Sequence, residues 1–141
     1  MGSIIAIDYG LKRVGIAVSD PERIFAFPSA VLENKGIEQL IKEISDIVLE
    51  KEADLIVVGM PYNMPGVKTL KGEMAIKVEK FISKLKEAIS LKIEIIDERL
   101  SSFMAEENLK EAGISSKKSK KFVDAEAARI MLEEYLSKSV S

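Results

Sequence analysis

Apolar positions along this chain switch between two periods, and the switches mark out its elements. Ile4 to Asp8 and Val14 to Ser19 are short β-branched runs separated by the turn residues Gly10 to Lys12, and both read as strands. The turn Asp20-Pro21-Glu22-Arg23 leads into a third run, Ile24 to Val31, in which Pro28 implies an edge position. Between Gly36 and Lys51 the spacing changes to that of a helix, with Ile37, Leu40, Ile41, Ile44, Ile47 and Val48 on one face. After Asp54, the run LIVVG to Met60 is continuously apolar, as a strand covered on both faces must be.

Helical spacing returns over residues 74–88, and a further strand over 91–96 ends before Asp97. Ser101 or Ser102 can cap a helix over about residues 103–112, with Gly113 as its stop. Residues 117–121 read as a basic connector, and Asp124 opens a last helix to about Leu136. The order βββαβαβαα, without repeats or a long linker, predicts a single α/β domain over residues 1–141: a mixed sheet with helices on both faces.

Composition removes whole classes of chemistry. The 141 residues contain no His and no Cys, which excludes Ser-His and Cys-His nucleophile systems, thiol redox chemistry and N/S zinc sites. The opening MGSIIAIDYG lacks a basic leader, and no run approaches the roughly 20 apolar residues that span a bilayer, so a soluble cytoplasmic protein is expected, with no membrane partner. One Gln and three Asn beside abundant Lys and Glu give a slight heat-adapted cast. A net charge of −2 argues against a uniformly basic surface, but local cations stand at Lys12-Arg13, at Lys68 and Lys71, and at Lys117-Lys118 with Lys120-Lys121.

Three acidic signatures remain: Asp8 after the first strand, Asp97-Glu98-Arg99 after the last, and Asp124. Clustered carboxylates suit a hard cation. Taken singly, each can equally be a turn residue or a helix cap. Gly10 and Gly15 bracket Arg13 in DYGxxRxG and would let a ligand approach the backbone, while Gly59-Met60-Pro61 with Gly66 ends the central strand, where open α/β sheets place ligands. Ala125, Ala127 and Ala128 keep the start of the last helix slim enough to pack on the sheet.

Four segments, DYGLKRVGIAVSD, GMPYNMPG, DERLSS and KKFVDAEAARIMLEEYL, together resemble the YqgF family of ribonuclease-H-like proteins over nearly the whole chain. The resemblance implies a five-stranded mixed sheet, three antiparallel strands followed by two parallel ones. It also implies a metal-dependent nuclease acting in 5′-end processing of the 16S rRNA precursor during ribosome biogenesis. A Holliday junction resolvase in DNA recombination or repair is the alternative, and a non-catalytic nucleic-acid-binding module is another of a different class. An actin-like sugar kinase, which needs two such domains, does not fit 141 residues.

Carried onto this chain, the resemblance makes Asp8, Glu98 and Asp124 the catalytic ligands of Mg²⁺ or Mn²⁺, two ions being expected, with Asp97 the substitute for Glu98. Arg13 and Arg99 would grip phosphate, while Lys12, Lys68, Lys71, Lys118 and Lys121 would follow the backbone of structured RNA, or of branched DNA in the alternative. Pro65-Gly66 and Val67 to Lys71 depart from the family's loop pattern, a departure that bears on the substrate contacts of this loop and not on the acidic site. The protein is expected to be a monomer or homodimer, the dimer suiting a resolvase that cuts two symmetric strands.

Overall fold

The structure, a computed structural model, describes residues 2–60, 71–97 and 116–139. The chain begins with β1 (Ser3–Asp8), β2 (Arg13–Ser19) and β3 (Ala26–Glu33), followed by α1 (Ile37–Lys51) and β4 (Ala53–Met60). It continues with α2 (Lys71–Ala88), β5 (Lys92–Asp97) and α3 (Ser116–Ser139). The strands form one sheet in the order β3-β2-β1-β4-β5. β1 pairs antiparallel with β2 and parallel with β4; β2–β3 is antiparallel and β4–β5 parallel. This is the mixed sheet expected from the element order.

Alternation along the strands separates two apolar layers. Ile5, Ile7, Val14, Ile16, Ile56 and Val58 pack with Leu40 and Ile44 of α1 and with Val78, Phe81 and Leu85 of α2. Ile4, Ala6, Ala17, Leu55, Val57 and Ile96 pack on the other side, against Ala128, Met131, Leu132 and Leu136 of α3. β1 and the middle of β4 are buried on both faces, which is why these segments are uninterrupted apolar runs.

β3 is an edge strand, as Pro28 implies. Ile16 pairs with Ala30 but Ala17 with Pro28, so Ser29 is the extra residue of a bulge. The strand runs two residues beyond its expected end and starts two later. Ile24 and Phe25 belong instead to the preceding turn, where the Asp20 carboxylate accepts hydrogen bonds from both of their amides.

A second correction concerns residues 117–121, expected as a connector: they lie within α3, which starts at Ser116. Asp124 therefore stands more than two turns inside the helix and does not cap it. Lys and Ser are tolerable helix residues and neither Gly nor Pro occurs after Gly113, so nothing local stops the helix from reaching back past its sheet-covering part. The expected helix over residues 103–112 and the Pro65-Gly66 loop lie outside the described residues. Among the described residues, no helix is long and apolar enough to cross a membrane.

Candidate active site at the end of the sheet

Asp8 is the last residue of β1, half-buried, and lies opposite Gly15 of β2. Ile4 and Ala6 face α3, so the period of two gives Asp8 the same face. Gly15 is where α3 comes down on the sheet. A Cβ there would stand 1.9 Å from the carbonyl oxygen of Asp124 and 2.9 Å from the amide nitrogen of Ala125. The helix backbone thus occupies the space of a missing side chain, which sets Asp124 beside the strand pair that carries Asp8. The expected close approach at Gly15 is real, but the approaching group is the protein's own helix rather than a ligand.

The alanines expected to keep this helix slim are buried: Ala125, Ala127 and Ala128 are 5%, 0% and 0% exposed. Gly10 serves the turn in the same way, since a Cβ there would lie 2.3 Å from the carbonyl oxygen of Arg13. Asn34, which sequence reasoning passed over, ties this turn to the segment after β3. Its Nδ2 donates to the Gly10 carbonyl at 2.8 Å, its backbone N–H donates to the Lys12 carbonyl at 2.9 Å, and its Oδ1 accepts from the Gly36 N–H at 3.2 Å. The available signal was Asn-Lys-Gly following a strand.

Arg13, the first residue of β2, donates from Nε to Oδ2 of Asp124 at 2.6 Å, with side chains 39% and 23% exposed. This charge-assisted bond fixes one carboxylate oxygen of Asp124. Tyr9, the neighbour of Asp8, turns to the opposite face and stacks on Phe81 at 4.7 Å between ring centroids. Lys12 lies in the turn between β1 and β2, Lys71 is the first residue of α2, and Lys118 and Lys121 lie in the early turns of α3. Asp97 ends β5, its backbone paired with Met60. Glu98, Arg99 and Lys68 lie outside the described residues. Among the described residues, no three acidic side chains stand close enough together to hold a metal ion.

The resolved pKa shifts belong to other parts of the molecule. A hydrogen bond from the Gly2 amide, helped by Arg23, holds Asp54 below the usual carboxylate range. Amide hydrogen bonds from Phe25 and Ile24 lower Asp20. The Tyr135 hydroxyl donates to Glu94 and lowers it, while burial, followed by the Glu94 charge, pushes Tyr135 up to about 12. Glu126 and then Glu133 raise Arg129.

A sheet ordered β3-β2-β1-β4-β5, with a carboxylate at the end of its central strand and another on the covering helix, defines a ribonuclease-H-like protein. Solved structures with this architecture include Thermus thermophilus RuvC in complex with a Holliday junction substrate, with TM-score 0.62 and 14% identity, covering 100% of this chain and 97% of that one. The yeast mitochondrial Holliday junction resolvase Ydc2 has TM-score 0.60 and 10% identity, covering 94% and 77%.

Residues 2–138 match the family model RuvX, described as Holliday junction resolvase, and the chain belongs to this RuvX (YqgF) family. A relative from Maridesulfovibrio salexigens is 40% identical over 96% of this chain and 98% of its own length. Another, from Desulforamulus reducens, is 41% identical over 94% and 95%. Both are named as candidate pre-16S rRNA nucleases. The family is one of nucleases and resolvases, and the protein is a nuclease.

Proposed function

We propose that this protein is a metal-dependent endonuclease of a single domain that hydrolyses phosphodiesters in the 5′-end processing of the 16S rRNA precursor. The observation that carries the reading is the seating of α3 on Gly15, which brings Asp124 to the strand pair holding Asp8. The choice of RNA rests on relatives at 40% and 41% identity over nearly the full chain, whereas the resemblance to solved resolvases is one of fold. The family description keeps junction DNA as the second reading.

The donor set suits Mg²⁺ or Mn²⁺, since hard cations favour carboxylate oxygens and the chain has no His or Cys to offer. Asp8, Glu98 and Asp124 would hold the metal. In β5, Glu94 bonds Tyr135 of α3 and Ile96 packs in the α3 layer. Asp97 stays the substitute for Glu98 as the third carboxylate. A bound divalent ion supplies an activated water and stabilises the leaving oxygen. The chain's own part is to keep Asp124 oriented through Arg13, to hold Asp8 on a rigid buried strand, and to present Lys12 and Arg13 to phosphate. Arg99, Lys68, Lys71, Lys118 and Lys121 are proposed as further phosphate contacts.

The test is cleavage of a precursor 16S rRNA fragment and of a synthetic four-way DNA junction, side by side, with Mg²⁺ or Mn²⁺. Cleavage of the RNA by wild type, abolished in Asp8→Asn and Asp124→Asn with folding retained, is the expected result. Preferential cutting of the junction turns the reading to the resolvase, and undiminished cutting by Asp8→Asn overturns the mechanism.

A further inference from the structure

Two open grooves lie beside the acid site and meet at one residue. The smaller, about 530 Å³, is lined by Lys12 and Arg13 of the β1–β2 turn and by Val31, Asn34 and Lys35 at the end of β3. The larger, about 910 Å³, lies between α1 and α2, on the other face of the sheet from α3, and is lined by Lys35, Lys42, Lys80 and Lys84. Lys35 belongs to both.

The smaller groove is at the carboxylate end of the sheet, and the larger runs from Lys35 at that end to Glu87 and Ala88 in the last turn of α2. Glu33, which precedes the Asn34-Lys35 junction, pairs with Arg13. On α2, Phe81, next to Lys80, stacks on Tyr9, next to Asp8. Across both grooves, the lining carries six cations, Lys12, Arg13, Lys35, Lys42, Lys80 and Lys84, against the three acids Glu33, Glu38 and Glu87, in a chain whose overall charge is −2; Lys35 pairs with Glu33 and Lys84 with Glu87 through exposed side chains, and Arg13 with Asp124. Between the grooves stands the N-terminus of α1. Its N-cap residue, Gly36, makes no side-chain capping bond, so the positive end of the helix adds to the field of the lysines.

We infer that the joined grooves are a binding track for the phosphates of a nucleic-acid strand. The track starts at the carboxylate site, passes over the β1–β2 turn at Lys12 and Arg13, crosses Lys35, and continues between α1 and α2 along Lys42, Lys80 and Lys84. Asn34 braces the track next to Lys35, because its three hydrogen bonds fix the turn and the start of α1 relative to each other. The ligand class follows from the chemistry. Lysine ammoniums spaced along an open, elongated groove neutralise a repeating anion without reading its bases, so the contact is with sugar-phosphate backbone. The inference rests on the nuclease reading and extends it: the substrate wraps around the end of the sheet and engages both faces.

The test uses Asp8→Asn protein, which binds without cutting, and fluorescence anisotropy with labelled precursor 16S rRNA fragment and labelled four-way junction over a salt series. Lys35→Gln, Lys80→Gln and Lys84→Gln in this background are expected each to reduce the slope of log affinity against log salt by roughly 0.7–0.9, with thermal unfolding unchanged. Lys92→Gln, on an exposed lysine at the far end of β5, is expected to leave the slope as it is. Unchanged slopes in the three groove variants, or an equal fall in Lys92→Gln, overturn the track while leaving the nuclease reading intact. Failure of the parent protein to bind either nucleic acid overturns both.

Discussion

Arg13 and Asp124 are 111 positions apart, yet Nε of one lies 2.6 Å from Oδ2 of the other. The bond joins the start of β2 to the helix on the opposite end of the sequence, through Nε of the guanidinium. Arg13→Lys keeps the charge but loses the fork, and should therefore be far from neutral. We expect a drop in cleavage rate of tenfold or more, as rough as one lost charge-assisted bond of about 1.5–3 kcal/mol allows. Single-turnover kinetics beside metal titration would check it; a variant as fast as wild type at every metal concentration removes the positioning role.

Gly15→Ala should be destabilising out of proportion to its one added methyl group. The new Cβ would meet helix backbone at 1.9 Å, and backbone cannot swing aside as a flexible side chain can. A cost of about 2 kcal/mol or more is expected, in the upper range for overpacking. Thermal unfolding measures the loss. Cleavage should fall as well, because α3 must lift and carry Asp124 with it.

Asn34→Ala removes two side-chain hydrogen bonds, to the Gly10 carbonyl and from the Gly36 amide. At about 1 kcal/mol each, global stability should decline modestly. Amide hydrogen exchange should report faster opening of the turn between β1 and β2. Equal protection of that turn in both proteins would show that the rest of the loop holds it unaided.

Alkaline pH should reach the fold through Tyr135. Its pKa is raised from 10 to about 12 in the folded state, so the stability it contributes is fully present below pH 10 and is lost between about pH 10 and 12. Glu94 has the opposite sense: its pKa is lowered, so its contribution is present above the ordinary carboxylate range and disappears as acid protonates it. Tyr135→Phe should therefore flatten stability against pH at both ends. Urea midpoints for the two proteins at pH 3, 7 and 11 test this, with the largest difference expected at pH 7.

The elements read most readily from sequence were those in which burial dictates composition. β1 and β4 are apolar because both faces are covered, and the apolar stripe of α1 marks the face it buries. Where no burial constrains the residues, the pattern fell silent. The first turns of α3 carry lysines and serines that resemble a connector, so the pattern places its start at Asp124, eight residues too late. Ile24 and Phe25 are 59% and 62% exposed, and their apolar character pulled the expected start of β3 into a turn.

The acid site was legible as residue types but not as contacts. Asp8, Asp124 and Arg13 were all marked, yet the reason Gly15 must be glycine lies in a helix more than a hundred residues away. Tertiary contact at that separation leaves no trace in local periodicity. Asn34 was missed for a similar reason, since its partner Gly10 is 24 positions distant.

The bulge and proline of β3 also determine what this sheet can become. An exposed strand is normally a template on which a further strand can grow, in a dimer or in an aggregate. Here the outer edge lacks one amide at Pro28 and loses its regular spacing at Ser29, so a strand from another molecule finds no continuous ladder to join. Self-association through this edge must then use side chains, not main-chain pairing. On this side the sheet ends at β3 because that rim does not permit a further strand.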